Sequence, residues 1–238
     1  MTPVLEINGI EKSYGPVRAV KGVTFSVAAG DIFGVLGPNG AGKTTTLECA
    51  LGIRTADAGG SRILGMDPRR DRKDLFRRVG VQFQDSAWQA GIRVGEACEG
   101  LACLYDPVPD WRSALKDFGL EKRRDAAVES CSGGERQKLS ILLACLHAPE
   151  LVVLDELTTG LDPLARREVW DTIRAMQERG TTVVLSSHFM DEVEFLCDRA
   201  VVIADGEMTA EGTVGELTAE GGGKNLDEAY VNLVRRPA

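Results

Sequence analysis

Apolar and polar positions divide the chain into three parts. In the first third, short runs at Val4–Ile7 and Val23–Val27 predict strands, and the apolar run at 31–36 predicts a buried strand. Two more short strands are predicted, at 61–64 and 79–83. From about residue 84 to 149 the apolar positions recur at helical spacing, and the last third returns to alternating strands and helices. This order is typical of an α/β protein with an inserted helical segment.

The middle third contains two clear helix patterns. Asp110 is a predicted N-cap for a helix over 111–118, with Gly119 as its end. A second helix is predicted over 135–147, because four leucines fall on one face there. We therefore expect a helical subdomain, over about 85–148, inserted in the α/β core.

The last third yields strands and helices in alternation. The predicted elements are a buried strand at 151–154, a helix at 163–179, a strand at 181–186, a hairpin of 200–204 and 207–210 around Asp205-Gly206, a hinge at Gly221–Gly223 and a helix at 225–234. We expect one main domain over 1–220 and a short C-terminal tail helix within 221–238.

Composition narrows the class of protein. Of 238 residues, 43% are hydrophobic, which is enough for a large core, and the formal net charge of −8 argues against a nucleic-acid partner. A basic run at 69–78 is interpreted as a solvated face. The six cysteines lack metal-site spacing and predict reduced thiols. The start of the chain lacks a signal-peptide pattern, and the apolar stretch at 141–146 is too short to span a membrane, so work at a membrane would need a partner.

One segment matches the phosphate-binding P-loop pattern G-x-x-x-x-G-K-[ST]. It lies between the predicted strand at 31–36 and a helical sequence, which is the context that the motif requires. Backbone N–H groups and the helix start would hold phosphate, Lys43 would contact the β- and γ-phosphates, and Thr44 would offer a hydroxyl to Mg²⁺. The candidate nucleotide-binding residues here are Gly37, Pro38, Asn39, Gly40, Ala41, Gly42, Lys43, Thr44 and Thr45.

Two acidic residues end the buried strand predicted at 151–154. Asp155 fits a carboxylate that holds Mg²⁺, directly or through water. Glu156 would then orient or deprotonate a water that attacks the γ-phosphate. The pair is informative because it follows a P-loop by about 110 residues.

A second candidate anion site lies at the start of the helix predicted from 135. Ser132, Gly133 and Gly134, followed by Glu135, bring backbone N–H groups to a helix N-terminus. One P-loop serves one set of phosphates, so a nucleotide held by another copy could bind there. The alternative is a plain helix cap with a Ser-Gly turn.

In this order the motifs resemble those of the ATP-binding cassette (ABC) ATPases, over nearly the whole chain. The matching positions are Tyr14, Gly37–Thr45, Gln84, Ser132–Gln137, Asp155-Glu156, Thr158–Asp162 and His188. The resemblance implies that Tyr14 stacks on adenine, that Gln84 is the Q-loop residue and contacts Mg²⁺, that Asp162 belongs to the D-loop, and that His188 is the switch histidine. Tyr14 could instead be a strand-end aromatic, Gln84 a loop amide and His188 a structural residue.

The same resemblance implies an α/β fold: a P-loop NTPase core with a mixed sheet, the inserted helical subdomain and a small N-terminal antiparallel sheet. It also implies ATP and Mg²⁺ as ligands, with Lys43, Glu156, His188 and Gln84 in catalysis. Three positions depart from the family pattern: Cys131 stands where Leu is usual, Glu135 where Gln is commoner and Leu157 where Pro is usual. None of them removes a phosphate or metal ligand, so we expect an active ATPase.

The implied assembly is a head-to-tail dimer of two copies with a separate transmembrane permease subunit, at the cytoplasmic face of the cell membrane. The short tail favours an exporter of drugs, antibiotics or other small molecules over an importer. Two alternatives remain at this stage. One is a soluble cassette ATPase in DNA or translation processes, and the other is a nucleotide-gated interaction module without useful hydrolysis. Trp88 could contact a partner or simply pack.

Overall fold

The computed structural model describes residues 3–83 and 88–235. Its strands are β1 Leu5–Tyr14, β2 Val17–Val27, β3 Ile32–Leu36, β4 Ala58–Ile63, β5 Val79–Gln82, β6 Leu151–Asp155, β7 Thr182–Ser187, β8 Arg199–Ala204 and β9 Glu207–Thr213. Its α-helices are α1 Lys43–Ala50, α2 Arg72–Leu75, α3 Val94–Ala102, α4 Trp111–Asp117, α5 Gly133–Cys145, α6 Pro163–Glu178, α7 Met190–Leu196, α8 Val214–Gly221 and α9 Leu226–Val234.

The main sheet has the strand order β5-β6-β7-β3-β8-β9. All neighbouring strands are parallel except β8 and β9, which form the predicted antiparallel hairpin, so the mixed sheet is confirmed. Every residue of β3, β6 and β7 is buried, as expected for central parallel strands covered on both faces. Their carboxyl ends lie side by side, at the edge where open α/β sheets bind ligands.

A small antiparallel sheet precedes the main sheet in the chain. Its order is β2-β1-β4, which confirms the expected N-terminal antiparallel sheet. β1 extends beyond the predicted strand at 4–7 as far as Tyr14. Its register with β2 shifts between Ile7 and Ile10, and again before Glu11 and after Lys12. These shifts break the alternation of buried and exposed side chains that makes a strand easy to read.

Between β5 and β6, the described residues 88–150 contain the three α-helices α3, α4 and α5. In α4 the buried side chains are Trp111 and Leu115, the face that the spacing predicts, and Asp110 caps the helix by accepting from two backbone N–H groups. α5 begins at Gly133, two residues before the predicted start, because Ser132 is its N-cap. α3 was not delimited by the sequence pattern. These helices pack with α6 and one face of the sheet in a single apolar cluster.

The C-terminal part contains a helix that the sequence pattern missed. α8 ends at Gly221, and Gly222 follows in a left-handed conformation (φ 68°). A Cβ on Gly221 would lie 2.5 Å from Cβ of Ala229 in α9, so the glycine permits a close crossing of the two helices. The glycines at 221–223 therefore join two packed helices and do not form the free hinge that the sequence suggested. Leu226 and Leu233 of α9 are fully buried.

All six cysteines are free thiols. Cys49, Cys98, Cys131 and Cys197 are buried, Cys145 is partly buried, and Cys103 is exposed at the end of α3. Among the helices of residues 3–83 and 88–235, none combines the length and the apolar character needed to cross a bilayer.

Candidate functional site

The P-loop joins the carboxyl end of β3 to α1 and wraps around a cleft of about 270 Å³. At two positions of the loop, no residue larger than glycine would fit. A Cβ on Gly37 would lie 2.3 Å from the Ile203 carbonyl oxygen, and one on Gly42 would lie 2.4 Å from that of Ala19, with φ at 99° besides. The cleft is lined by Ala19, Asn39, Gly40, Ala41, Gly42, Lys43, Thr44, Thr45 and Glu156. Gly37 and Pro38 are not among the described residues that line the cleft, but their carbonyl oxygens accept hydrogen bonds from Lys43, which does line it.

Lys43 is the buried cation of this cleft. Its side chain is 4% exposed, and Nζ donates to the carbonyl oxygens of Gly37 at 2.8 Å and Pro38 at 3.2 Å. Nζ also lies 3.5 Å from Oε1 of Glu156. Burial lowers the pKa of Lys43, and the nearby Glu156 carboxylate opposes that shift. The ammonium group therefore lies at the start of α1, where the free backbone N–H groups of the helix could also donate hydrogen bonds to a phosphate.

Asp155 ends β6 beside the P-loop. Its Oδ2 accepts a hydrogen bond from Oγ1 of Thr44 at 2.8 Å, and its Oδ1 accepts one from the hydroxyl of Ser186 on β7. Asp155 is only 1% exposed, and this burial raises its pKa, while the two hydroxyl donors act in the opposite direction. The orientation of the Asp155 carboxylate is thus fixed by hydrogen bonds from two hydroxyl groups.

Glu156 follows Asp155 in a left-handed backbone conformation (φ 48°), which is uncommon for a residue other than glycine. This conformation turns its side chain into the P-loop cleft. Oε1 lies 3.5 Å from Nζ of Lys43 and 3.7 Å from Nδ1 of His188. The ring of His188 packs on Phe189, with a centroid distance of 4.1 Å. Lys43 and His188 therefore both approach the same carboxylate oxygen of Glu156.

Hard oxygen donors converge where the resemblance places Mg²⁺. The Thr44 hydroxyl and the Asp155 carboxylate are in direct contact beside the phosphate-binding loop, and such donors suit Mg²⁺. In the described part of the chain, no group of three or more His, Cys, Asp and Glu side chains could hold a metal ion alone. The Thr44 hydroxyl and the Asp155 carboxylate are thus of the donor type that fits Mg²⁺. Gln84, the third proposed ligand, lies outside the described residues.

The start of α5 is a complete capping box. Ser132 Oγ accepts from the Glu135 N–H at 3.1 Å, and Glu135 Oε2 accepts from the Ser132 N–H at 2.8 Å. Glu135 also accepts from Arg123 Nε at 2.7 Å, and this guanidinium holds its pKa below the usual value. Ser132 and Gly133 are exposed, so the helix start is accessible from outside.

The start of α5 is next to the loop that leads into α6, and it is not among the described residues that line the P-loop cleft. A cleft of about 280 Å³ separates the two segments; its lining includes Gly133, Thr159, Gly160 and Leu161. Asp162 caps α6 by accepting from two backbone N–H groups, both at 3.0 Å, and it is exposed. Ser132, Gly134 and Asp162 do not line the P-loop cleft of the same chain.

Tyr14 lies at the end of β1, on the small sheet. Its ring is 40% exposed, and it is flanked by Lys12 Nζ at 5.8 Å and Arg54 Cζ at 5.3 Å from the ring centroid. It is not among the described residues that line the P-loop cleft. The structure therefore gives an accessible aromatic face on the small sheet.

Sequence reasoning missed two polar residues that support the site. Ser186 contacts Asp155, as described above. Glu192 of α7 is 1% exposed, and its Oε1 accepts from Thr158 Oγ1 at 2.9 Å and from Trp170 Nε1 at 3.0 Å. Glu192 thereby ties the loop after Glu156 to α6 and α7. In the sequence, the signal that could have identified Glu192 is its place among the apolar residues Met190, Val193 and Leu196 of α7, since a buried glutamate needs hydrogen-bond partners.

Two of the residues that depart from the family motifs, Cys131 and Leu157, are packed in the apolar core. Cys131 is 4% exposed in the apolar cluster, and burial raises the pKa of its thiol. Leu157 is 2% exposed in the same cluster. Both side chains contribute packing next to functional segments.

A mostly parallel α/β sheet, a P-loop after β3 and two acids at the carboxyl end of β6, two strands away from β3, together define a P-loop nucleotide-binding protein. Comparison with known proteins gives the family. Residues 20–159 match the model of the ABC transporter family. The chain is 38% identical over 232 residues to the daunorubicin/doxorubicin resistance ATP-binding protein of Streptomyces peucetius, covering 94% of this chain and 70% of that one. It is 38% identical over 234 residues to Nod factor export ATP-binding protein I of Ralstonia nicotianae, covering 96% and 73%.

Among solved structures, the ATP-binding subunit of an ABC transporter superimposes with a TM-score of 0.87 at 28% identity, covering 98% of this chain and 100% of that one. This chain therefore belongs to the ABC transporter family, as one of its ATP-binding subunits. The predicted P-loop NTPase fold, nucleotide binding and ATPase class are confirmed.

Proposed function

We propose that this subunit hydrolyses MgATP between two copies of itself and thereby drives export of a small molecule through a separate transmembrane permease. The observation that carries the proposal is the separation of the two anion-binding helix starts. One, at α1, opens on the P-loop cleft, and the other, at α5, is exposed and lies outside that cleft. A second copy, placed head to tail, would bring its α5 start to the γ-phosphate held by the first.

Glu156 is the proposed general base. Its carboxylate faces the cleft and is close enough to Lys43 and His188 to exchange ion-pair partners when phosphate enters. Lys43 would then move from Glu156 and the loop carbonyls to the β- and γ-phosphates, which leaves Glu156 to orient the attacking water. His188 would donate to the γ-phosphate, where negative charge develops.

Thr44 and Asp155 would hold Mg²⁺, with Gln84 as the further proposed ligand. When bound, the ion supplies positive charge to the β- and γ-phosphate oxygens. The residues of the chain prepare this site through the Thr44–Asp155 contact at 2.8 Å. Tyr14 would stack on adenine, Ser132, Gly133, Gly134 and Glu135 would contact the other copy's nucleotide, and Asp162 would lie at the contact between the copies.

The proposal that two copies share one nucleotide site is tested in the Glu156→Gln variant. Because this variant should not hydrolyse its bound ATP, the nucleotide should hold the two copies together. We expect Glu156→Gln to form an ATP-dependent dimer in size-exclusion chromatography with light scattering. Adding Ser132→Arg should keep the protein monomeric, because the arginine side chain blocks the exposed α5 start. A fluorescent ATP analogue should still bind the monomer, since its P-loop is intact.

Ser113→Arg is the matched control, because Ser113 is an exposed serine on α4 of the same helical segment. It should leave the ATP-dependent dimer intact. A dimer that persists in Glu156→Gln/Ser132→Arg would contradict the two-copy site.

Two observations support the proposal of a permease partner: the names of the relatives and an apolar groove on the surface. The relatives' names assign them to drug resistance and to Nod factor export. An apolar groove of about 400 Å³ lies between β5 and the helices α3 and α5, with Phe83, Trp88 and Leu101 among its lining residues. A cytoplasmic helix of a permease could bind there, and this would place the subunit peripherally at the cytoplasmic face of the membrane. Co-purification of a tagged subunit from detergent-solubilised membranes tests the partner.

A further inference from the structure

We propose that Ser186 is a positioning residue for ATP hydrolysis, whose hydroxyl fixes the orientation of Asp155 and Glu156 relative to each other. This inference rests on the roles proposed above for the two acids. Ser186 lies opposite Asp155 in the parallel pairing of β6 and β7. It is 1% exposed, so its hydroxyl has no access to bulk water as an alternative partner.

One hydroxyl serves both acids. Ser186 Oγ donates to Oδ1 of Asp155, which leaves Oδ2 for Thr44 at 2.8 Å. The same Oγ accepts the backbone N–H of Glu156 at 3.1 Å, and the Ser186 carbonyl oxygen is 3.3 Å from that nitrogen. The donor and acceptor capacities of a serine hydroxyl are thus both used, one on each acid.

The contact matters because the backbone of Glu156 is strained. A glutamate at φ 48° is held in that conformation by its surroundings at a free-energy cost. The hydrogen bonds from its N–H to Ser186 are among the contacts that hold it. Losing the hydroxyl would let the Asp155 carboxylate rotate about χ2 and let the Glu156 backbone relax, so both the metal ligand and the proposed base would shift.

The adjacent serine is a matched control. Ser187 is also 1% exposed, but its Oγ accepts the backbone N–H of Phe189 at 3.0 Å. Since neighbouring strand residues point to opposite faces, Ser187→Ala deletes an equally buried hydroxyl of the same strand without touching either acid.

The test compares Ser186→Ala, Ser186→Thr and Ser187→Ala in the full-length subunit. For Ser186→Ala we expect kcat for MgATP to fall about tenfold or more, because a residue that orients a metal ligand and the proposed base acts on the chemical step, and we expect KM to rise together with the lost Mg²⁺-dependent affinity. Affinity for a fluorescent ATP analogue should be unchanged in EDTA, and the gain in affinity on adding Mg²⁺ should fall about tenfold. Ser186→Thr, which keeps the hydroxyl, should recover much of both, and Ser187→Ala should resemble wild type.

Cooperative thermal unfolding of each variant establishes that it is folded. The inference is overturned if folded Ser186→Ala keeps the Mg²⁺-dependent gain in affinity and the kcat of Ser187→Ala. If wild type hydrolyses no ATP, or Glu156→Gln hydrolyses it fully, the proposed roles fail instead, and the Mg²⁺-dependent affinity still tests the contact of Ser186 with Asp155.

Discussion

Two glutamates near the site are held in opposite ways. Glu192 is buried and receives hydrogen bonds from Thr158 and Trp170, so it serves as a fixed structural anchor. Glu156 faces the cleft at 3.5 Å from Lys43 and 3.7 Å from His188, partners that phosphate could draw away. A carboxylate whose partners can be exchanged is suited to accept a proton during the reaction, and one that is locked in place is not.

At this scale, Glu156→Gln is the decisive substitution. We expect kcat to fall at least about a hundredfold, because an amide cannot act as a general base. Binding of a fluorescent ATP analogue should persist, since Lys43 and the P-loop are unchanged. Phosphate release and nucleotide titration measure the two quantities.

Glu211→Gln is the control, on β9 at the far edge of the main sheet. It should keep wild-type turnover. Full activity of Glu156→Gln would remove Glu156 from its role.

At the scale of elements, the strands of the main sheet were predicted more closely than those of the small N-terminal sheet. β3, β6 and β7 are buried on both faces, so their apolar runs predict their bounds to within one residue. The half-exposed β1 carries charged residues and register shifts, which hide its length. α8 was missed although Thr213 and Glu216 form a capping box, because glycines surround that short segment.

The candidate site residues divide in a similar way. Lys43, Asp155 and Glu156 lie next to a glycine-rich loop or at a strand end, and there the residue types and their spacing were enough to name them from the sequence. The role of Ser186 depends on the register between β6 and β7, and that of Glu192 on the packing of α7 against α6. Neither relationship is encoded in local spacing.

The N-terminus of α5 gives a pH-dependent prediction. Glu135→Gln keeps the capping box but loses the ion pair with Arg123, so at pH 7 we expect a loss of about 0.5 kcal/mol in the free energy of unfolding. Because the folded-state pKa of Glu135 is lowered, its contribution is fully present above the ordinary value of 4.5. It is lost as the pH falls through the lowered pKa, and the two proteins should converge there. Urea unfolding at several pH values measures this.

Glu216→Gln is the matched control, because Glu216 completes the same type of capping box in α8. It should cost less at pH 7. In 1 M NaCl the cost of Glu135→Gln should shrink, since salt screens an exposed ion pair. Equal stability of wild type and Glu135→Gln at pH 7 would contradict the ion-pair contribution.

At the scale of the whole molecule, the proposed function depends on two surfaces that a single copy leaves uncovered. The exposed start of α5 is proposed for the second copy, and the apolar groove beside β5 for the permease. Both involve the helical segment between β5 and β6. Movement of that segment relative to the sheet would link events at the nucleotide to the permease.

The groove gives a separate prediction. Leu101→Gln should weaken co-purification of the permease about tenfold, because a polar side chain would be buried at the proposed contact. ATPase activity of the isolated subunit should be retained, since Leu101 lies on α3, away from the P-loop. Quantitative pull-down and phosphate release measure the two effects.

Val231→Gln is the control, at an exposed apolar position on α9 that is 45% exposed. It should leave permease capture unchanged. Equal capture by Leu101→Gln and wild type would exclude the groove as the contact.

The distribution of the thiols has a practical consequence for observing such movement. Cys103 is the one exposed cysteine among the six, and it lies at the end of α3, on the helical segment itself. Brief maleimide treatment of the unmodified chain would therefore attach a dye preferentially at that point. A fluorescence probe of subdomain rotation during turnover could be installed without first engineering a cysteine-free background.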